Sequence, residues 1–298
     1  MRLYGEIPPV VTVFKENGET DYEAMFRHAD YLIGHGVQGL AYLGTSGEFC
    51  VMTLDQRLEL IRKILAYVDG RVPVFIGIGD TCLENTLALA DQAAKSGASA
   101  LLAVIPYFNV YGEENVEAYY HALAGAVRLP LILYNFPALT GFDLNPDLVR
   151  RLALSEGNVL GIKDTVPDEA HLLAMLDIKK EKPDFSVFCA YETQALNMGR
   201  AGIDGFINAT GNFAPEFTRA FLDAAEQHDE EEMKLAAHRM EQAAQIYQYG
   251  TPLLLAVKEA VYQILGIRGA ERLPGLSLSQ EKKEKVKEVL HTIQQGKG

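Results

Sequence analysis

The chain is poor in cysteine, in net positive charge and in long apolar runs, and each shortage excludes something. Cys50, Cys82 and Cys189 are three in 298 residues, far apart and without metal-ligand spacing. They read as buried or free thiols of a reducing compartment, not as a disulfide framework. The formal net charge of -13 comes with no basic stripe, which argues against nucleic acid and anionic membrane as partners. No segment is long and apolar enough to span a bilayer, and the N-terminus lacks the basic, apolar and small-residue succession of a signal peptide. Cytoplasmic residence is the expectation. The seven histidines are scattered, without H-x-H or H-E-x-x-H spacing, so a zinc-dependent aldolase or hydrolase has no ligand set and no metal is expected. Two of them, His28 and His35, lie two helical turns apart and are expected on a solvated face. Walker loop, G-x-S-x-G elbow and paired-cysteine motif are all missing. Gly77-Ile78-Gly79 runs into Asp80-Thr81-Cys82 without the third glycine of a dinucleotide fingerprint, so no flavin or nicotinamide cofactor is expected.

What is present is 48% hydrophobic residues, ample for a sizeable core. Apolar, β-branched runs recur at 8–14, 40–45, 72–79, 101–107, 131–136, 159–164, 185–191 and 205–210. They lack strict alternation, as strands of a parallel sheet covered on both faces do. Between them lie amphipathic stretches with helix-start chemistry. Thr20 with Glu23, Thr53 with Gln56 and Thr81 with Glu84 have capping-box spacing, and Asn145-Pro146 is a cap followed by proline at the first helical position. In the first stretch Met25, Ala29, Leu32 and Ile33 form one apolar stripe. Eight strand–helix units predict an α/β fold, a (β/α)8 TIM barrel over 1–225. Beyond Thr210 the pattern is helical only, at 215–227, 229–249, 252–265 and 279–294, which predicts a C-terminal helical extension, 226–298, packed on the barrel.

In such barrels the chemistry sits at the C-terminal ends of the strands. The sixth run, Val159-Leu160-Gly161-Ile162-Lys163-Asp164-Thr165, ends on a lysine inside an apolar strand. An unpaired ammonium taken out of water is costly, and the neutral amine that replaces it is a nucleophile suited to Schiff-base formation with a carbonyl. The competing reading is that Lys163 pairs with Asp164 or another carboxylate. The second strand ends in Gly44-Thr45-Ser46-Gly47-Glu48, where two hydroxyls and converging backbone amides can hold a small carboxylate; a plain glycine turn has the same appearance. Tyr134 in Tyr134-Asn135-Phe136-Pro137 can pass protons if its hydroxyl faces the centre. Tyr107-Phe108 after the fourth strand is an aromatic pair of loop, interface or site character. An amine, a phenol, a hydroxyl and an anion-binding turn, all at strand ends, make one constellation.

Those three motifs, in that order and at about those distances, resemble the dihydrodipicolinate synthase / N-acetylneuraminate lyase family, and the resemblance extends through Gly205-Phe206-Ile207-Asn208-Ala209-Thr210 and the helical tail. It implies a class I, metal-independent lyase, usually a homotetramer, in which Lys163 forms the imine with pyruvate or another 2-keto acid. It further implies Tyr134 as the phenol that relays protons, Thr45 and Ser46 as the pair that holds the carboxylate, and Ile207 as the position whose backbone touches the keto acid. Phe108 falls where many members carry a relay tyrosine supplied across a dimer interface, and phenylalanine transfers no proton; Tyr107 is the neighbouring substitute. Leu139 falls where the synthases place an arginine for the aldehyde's carboxylate. The run 134–141 is more similar to the 2-keto-3-deoxy sugar-acid aldolases and sialic acid lyases. The expected function is carbon–carbon cleavage or formation between pyruvate and an aldehyde. A synthase using aspartate semialdehyde, a sugar-acid dehydratase using the same imine, and a non-catalytic keto-acid-binding protein remain as alternatives.

Overall fold

The computed structural model describes residues 3–295. Eight parallel strands follow the barrel order: β1 (Gly5–Glu6), β2 (Leu40–Tyr42), β3 (Val74–Gly77), β4 (Ala100–Val104), β5 (Leu131–Asn135), β6 (Val159–Asp164), β7 (Ser186–Cys189) and β8 (Gly205–Phe206). Each pairs with its sequence neighbour from β2 to β8, and β8 returns to β1. The remaining seam, between β1 and β2, closes through one parallel bridge from Pro9 to Ala41.

The first strand is the main departure from the sequence expectation. The run 8–14 is not regular strand, because Pro8 and Pro9 have no N–H to give to a ladder. The ladder instead uses Gly5–Glu6, and the seam is held by the Ala41 N–H donating to the Pro8 carbonyl (2.9 Å) and the Val10 N–H to the Ala41 carbonyl (2.8 Å). The eighth strand is likewise shorter than expected. Its continuation, Ala209–Asn212, turns into a 3-10 helix, and the Asn212 side chain bridges to the backbone of Val11 and Pro9.

The helices between the strands are α1 (Tyr22–Gly34), α2 (Leu54–Val68), α3 (Leu83–Lys95), α4 (Glu113–Ala126), the single turn α5 (Pro137–Thr140), α6 (Pro146–Ser155), α7 (Glu169–Asp177), α8 (Ala195–Ala201) and α9 (Pro215–Gln227). Their starts test the capping reading. Thr53 and Gln56 form the reciprocal box, and Asn145 caps α6 ahead of Pro146. At α1 the cap is Asp21, which accepts from the Ala24 N–H, and at α3 it is Cys82, with no side-chain bond. Thr20 and Thr81 therefore stand outside the cap positions assigned to them. In α1, Met25, Ala29 and Leu32 are fully buried; side chains of the Met and Leu kind each gain roughly 1.5–3 kcal/mol from leaving water. His28 is buried with them, its Nε2 2.8 Å from the Asn212 carbonyl, so it does not share a solvated face with His35. Burial lowers its pKa to about 4, and it packs as a neutral ring.

The C-terminal helices are α10 (Glu230–Ala244), α11 (Leu254–Leu265) and α12 (Gln280–Gln295), with a 3-10 turn at Gln245–Tyr249. The expected boundary at 225 falls in the last turn of α9. Val11, Leu172, Cys189 and Phe206 of the barrel share one apolar cluster with Met240, Ala256, Val286 and Leu290. No helix among the described residues is long and apolar enough to cross a membrane.

Close backbone approach is demanded where β3 passes the turn that follows β2. A Cβ on Gly77 would sit 2.1 Å from the Leu43 carbonyl oxygen, and backbone cannot swing aside as a side chain can. Gly77→Ala is therefore expected to cost about 1–3 kcal/mol or more, read as a lower urea midpoint; an unchanged midpoint would show that β3 and the turn have room to part.

Candidate active site

A lysine and a tyrosine come together through one irregularity in the sheet. Leu131 pairs with Val159, but Ile132 pairs with Gly161, so β6 carries an extra residue, Leu160, at a bulge. Beyond the bulge Tyr134 lies opposite Lys163 and Asn135 opposite Asp164. Were Leu160 paired in an unbroken ladder, Tyr134 would face Ile162 and the lysine would lie one place along the strand, because a one-residue slip inverts the faces. As it stands, the Lys163 amine lies 4.3 Å from the centre of the Tyr134 ring, and both side chains are only 4% exposed. The Tyr134 hydroxyl is 3.0 Å from Thr45 Oγ1.

Lys163 does not pair with Asp164. Alternation along the strand sends that carboxylate to the opposite, helix-facing side, where it belongs to a closed ring of four side chains. Asn135 Nδ2 donates to Asp164 Oδ1 (2.9 Å) and to Asp143 Oδ1 (2.8 Å). His171 of α7 completes the ring, with Nδ1 2.7 Å from Asp164 Oδ2 and Nε2 3.4 Å from Asp143 Oδ2. Among the described residues no carboxylate lies within ion-pair range of Lys163. The acid beside it in sequence is committed elsewhere, and the two residues that follow the reactive pair, Asn135 and Asp164, are locked to each other behind the barrel wall.

The hydroxyl turn is tightly built. Leu43 and Glu48 adopt left-handed backbone, with φ of 59° and 56°, an uncommon state for residues with side chains. The Gly47 N–H donates to the Gly44 carbonyl and the Glu48 N–H to the Thr45 carbonyl, while Thr12 Oγ1 donates to the Gly47 carbonyl at 2.7 Å. Gly47 itself sits behind the turn. A Cβ there would lie 3.0–3.3 Å from backbone atoms of Leu43, Val10 and Gly44, so a side chain at this position would be crowded.

Lys163, Tyr134, Thr45, Ser46, Ile207 and Leu139 all line one cavity of about 500 Å³ at the C-terminal mouth of the barrel. Gly47, Tyr107 and Phe108 do not. Tyr107 packs edge-on against Phe49, and Phe108 stands 97% exposed with a left-handed φ of 82°. Within this chain neither aromatic reaches that cavity wall.

The remaining cavity wall is formed by residues that sequence reasoning passed over. Tyr191, Glu192 and Thr193 follow β7, and Glu241, Gln245, Tyr247 and 252–254 come from the C-terminal helices and their connections. Glu192 is buried; its Oε1 accepts from Tyr247 Oη (2.6 Å), Thr210 Oγ1 (2.8 Å) and Asn208 Nδ2 (3.1 Å). Burial raises its pKa against the pull of the Tyr247 and Thr210 bonds. The rule of polar residues at strand ends would have found 191–193. For the C-terminal residues no local signal exists, since their helices read as ordinary amphipathic packing. Among the described residues, Lys163 is the only lysine or arginine in the lining, and Glu192 and Glu241 are its only carboxylates.

A (β/α)8 barrel with a buried, uncompensated strand-end lysine beside a phenol defines a class: the lysine-dependent, Schiff-base-forming lyases of 2-keto acids. Within that class the chain belongs to the dihydrodipicolinate synthetase family, whose model matches residues 2–293. It is 41% identical to the protein from Escherichia coli named "probable 2-dehydro-3-deoxy-D-pentonate aldolase YjhH", over 98% of each chain. It is 32% identical to 4-hydroxy-tetrahydrodipicolinate synthase of Archaeoglobus fulgidus, over 97% of this chain and 98% of that one. Its fold superimposes with a TM-score of 0.94, at 37% identity over 98% and 99% of the two chains, on the crystal structure of YagE, an E. coli prophage protein of the same family in complex with pyruvate. The family read from three motifs therefore holds along the chain.

The four-membered ring behind the wall has a pH signature. Burial works against charge on His171, but hydrogen bonds and attraction from Asp143 and Asp164 outweigh it and raise its pKa to about 10. A raised pKa stabilises the fold fully below the unfolded value near 6.5, and the contribution is lost as pH rises towards 10. The stability gap between wild type and His171→Asn, measured by urea unfolding, should be widest near pH 6 and close by about pH 10. A gap independent of pH would mean that the imidazolium charge contributes nothing.

Proposed function

We propose that this chain is a class I, Schiff-base-forming aldolase that breaks or makes the carbon–carbon bond between pyruvate and an aldehyde, acting on a 2-keto-3-deoxy sugar acid. The observation that carries this is the cavity, where a buried amine without a counter-ion faces a phenol hydrogen-bonded to a hydroxyl turn.

The mechanism follows from those positions. The free amine of Lys163 adds to the ketone and, after loss of water, leaves a protonated imine that withdraws electrons from the adjacent carbon. In cleavage, Tyr134 takes the proton of the C4 hydroxyl, the C3–C4 bond breaks and its electrons enter the enamine. Protonation at C3 and hydrolysis then release pyruvate, while the aldehyde leaves from C4. Thr45 Oγ1, 3.0 Å from the phenol, is the next group in the proton path. Ser46 and the turn amides hold the keto-acid carboxylate, which converts binding into orientation, and Ile207 lies against the bound acid on the other side.

Charge selects the second half of the substrate. Leu139 is apolar and 59% exposed at the mouth, and the lining offers Glu192 and Glu241 but no further cation. A second carboxylate such as that of aspartate semialdehyde would find no partner there, whereas hydroxyls of a sugar chain can donate to those acids. The names of the relatives divide along this line, and Leu139 with the acidic wall favours the sugar-acid side. A dehydratase would use the same imine and differ only in the bond broken, so its product is a keto acid with no aldehyde. We also propose a homotetramer. Phe108 and Val110, at 97% and 99% exposure, are apolar groups left for a neighbouring subunit, and Phe108 would come across as a wall without a proton to relay.

Three outcomes are expected. Lys163→Ala should retain the fold and lose turnover altogether; substantial remaining lyase activity would remove the imine from the mechanism. Tyr134→Phe should slow turnover by about 10²–10⁴-fold while imine formation persists, and an unchanged rate would leave the phenol without a role. Supplied with 2-keto-3-deoxy pentonic and hexonic acids, the enzyme should release pyruvate and an aldehyde in equal amounts. Rapid condensation of pyruvate with aspartate semialdehyde, without cleavage of either acid, would return the synthase reading.

A further inference from the structure

The C-terminal extension reaches the hydroxyl turn through a buried charge cluster that the mechanism above does not use. Lys258 of α11 is fully buried. Its Nζ lies 2.7 Å from Glu48 Oε2 and 2.5 Å from Glu271 Oε2. Glu48 directly follows Thr45-Ser46-Gly47, so this cluster grips the turn by its last residue. Arg272 adds a second cation. It lies over one Phe14 ring with Lys258, at 4.4 Å and 5.0 Å respectively, so two cations share a single buried aromatic.

The segment that carries Glu271 is itself anchored to the barrel. The Ala270 N–H donates to the Phe14 carbonyl at 2.8 Å. Arg272 donates from Nη1 to the Val51 carbonyl and to Gln56 Oε1, each at 2.9 Å, and its Nε to the Gly18 carbonyl. The 3-10 turn Phe49–Val51 that leads out of the hydroxyl turn is thus held at both ends, at Glu48 through Lys258 and at Val51 through Arg272.

Stability is a poor explanation for this arrangement, because a buried ion cluster can usually be replaced by apolar side chains at no loss. Geometry is a better one. The turn is bracketed by left-handed Leu43 and Glu48, a conformation that persists only where surrounding structure over-determines it. On one side Thr12 holds the Gly47 carbonyl; on the other the anchor is Lys258. We propose that Glu48, Lys258 and Glu271 are positioning residues that hold the Thr45-Ser46 turn in the shape that receives the keto-acid carboxylate, making the C-terminal extension part of carboxylate recognition. The proposal rests on the imine reading given above.

Borohydride inactivation tests it with two ketones of similar size, pyruvate and hydroxyacetone, of which only pyruvate has a carboxylate. Both form the imine at Lys163, so the ratio of their half-saturating concentrations reports carboxylate recognition separately from amine reactivity. In Lys258→Met the ratio should shift against pyruvate by about tenfold or more. The same should hold in the triple variant Lys258→Met/Glu48→Gln/Glu271→Gln, which leaves no buried carboxylate without a counter-ion and serves if the single variant does not fold. Lys283→Met, which removes a cation from the part-exposed pair with Glu259, should leave the ratio as in wild type. Equal weakening of both ketones, or an unchanged ratio in a folded variant, would overturn the positioning role. Wild-type protein left active by borohydride with pyruvate would instead overturn the imine reading itself.

Discussion

The site depends on an amine held inside the barrel with no carboxylate among the described residues beside it. Lys163 could have been neutralised by Asp164, its neighbour in sequence, and the strand prevents this by sending the two side chains to opposite faces. The acid is then consumed by Asn135 and His171 on the helix side, which leaves the amine only the Tyr134 ring and the cavity. The carboxylate is engaged on one side of the wall and the amine has no counter-ion among the described residues on the other. Most buried polar groups find partners, so a buried amine left without one is a group reserved for a ligand.

Register carries that arrangement. The bulge at Leu160 sets Tyr134 against Lys163 and, through the same step, Asn135 against Asp164. One irregularity therefore fixes the reactive pair and the lock behind it together. The hydroxyl turn arrives from a different strand, and the Tyr134–Thr45 contact joins the two halves. Around this frame the C-terminal helices supply much of the far wall, including Tyr247 on Glu192 and the exposed acid Glu241. Barrel and extension share an apolar cluster, and the extension contributes side chains to the cavity as well as packing.

The chemistry was legible in the sequence where one residue type violated its surroundings. Lysine in an apolar strand, hydroxyls between glycines and tyrosine at a strand end each stand out locally, and the strand-end rule brings them together. Strand 6 is legible to its last residue because its apolar run ends where its ladder ends. Strands 1 and 8 are not, since Pro8 and Pro9 and the 3-10 turn at 209–212 break ladders inside runs that look uniformly apolar. The burial of His28 is hidden for a related reason: a polar ring satisfied by the distant Asn212 carbonyl has no local mark. The same holds for the Lys258 cluster, for the ring through His171 and for the cavity-lining part of the extension. All three depend on contacts between residues far apart in sequence. The departures at Phe108 and Leu139 were visible as missing chemistry, but the acidic, cation-poor wall that gives Leu139 its meaning was not.

The central claim is that the amine of Lys163, and no other, condenses with a 2-keto acid. Reduction with borohydride in the presence of pyruvate, followed by peptide mass spectrometry of the whole chain, tests it most directly. The account predicts one reduced pyruvyl adduct, confined to the peptide containing Lys163 and absent when pyruvate is omitted. Folded protein that carries no adduct, or carries it on other lysines with Lys163 unmodified, would contradict the account and leave a keto-acid-binding protein in place of an enzyme.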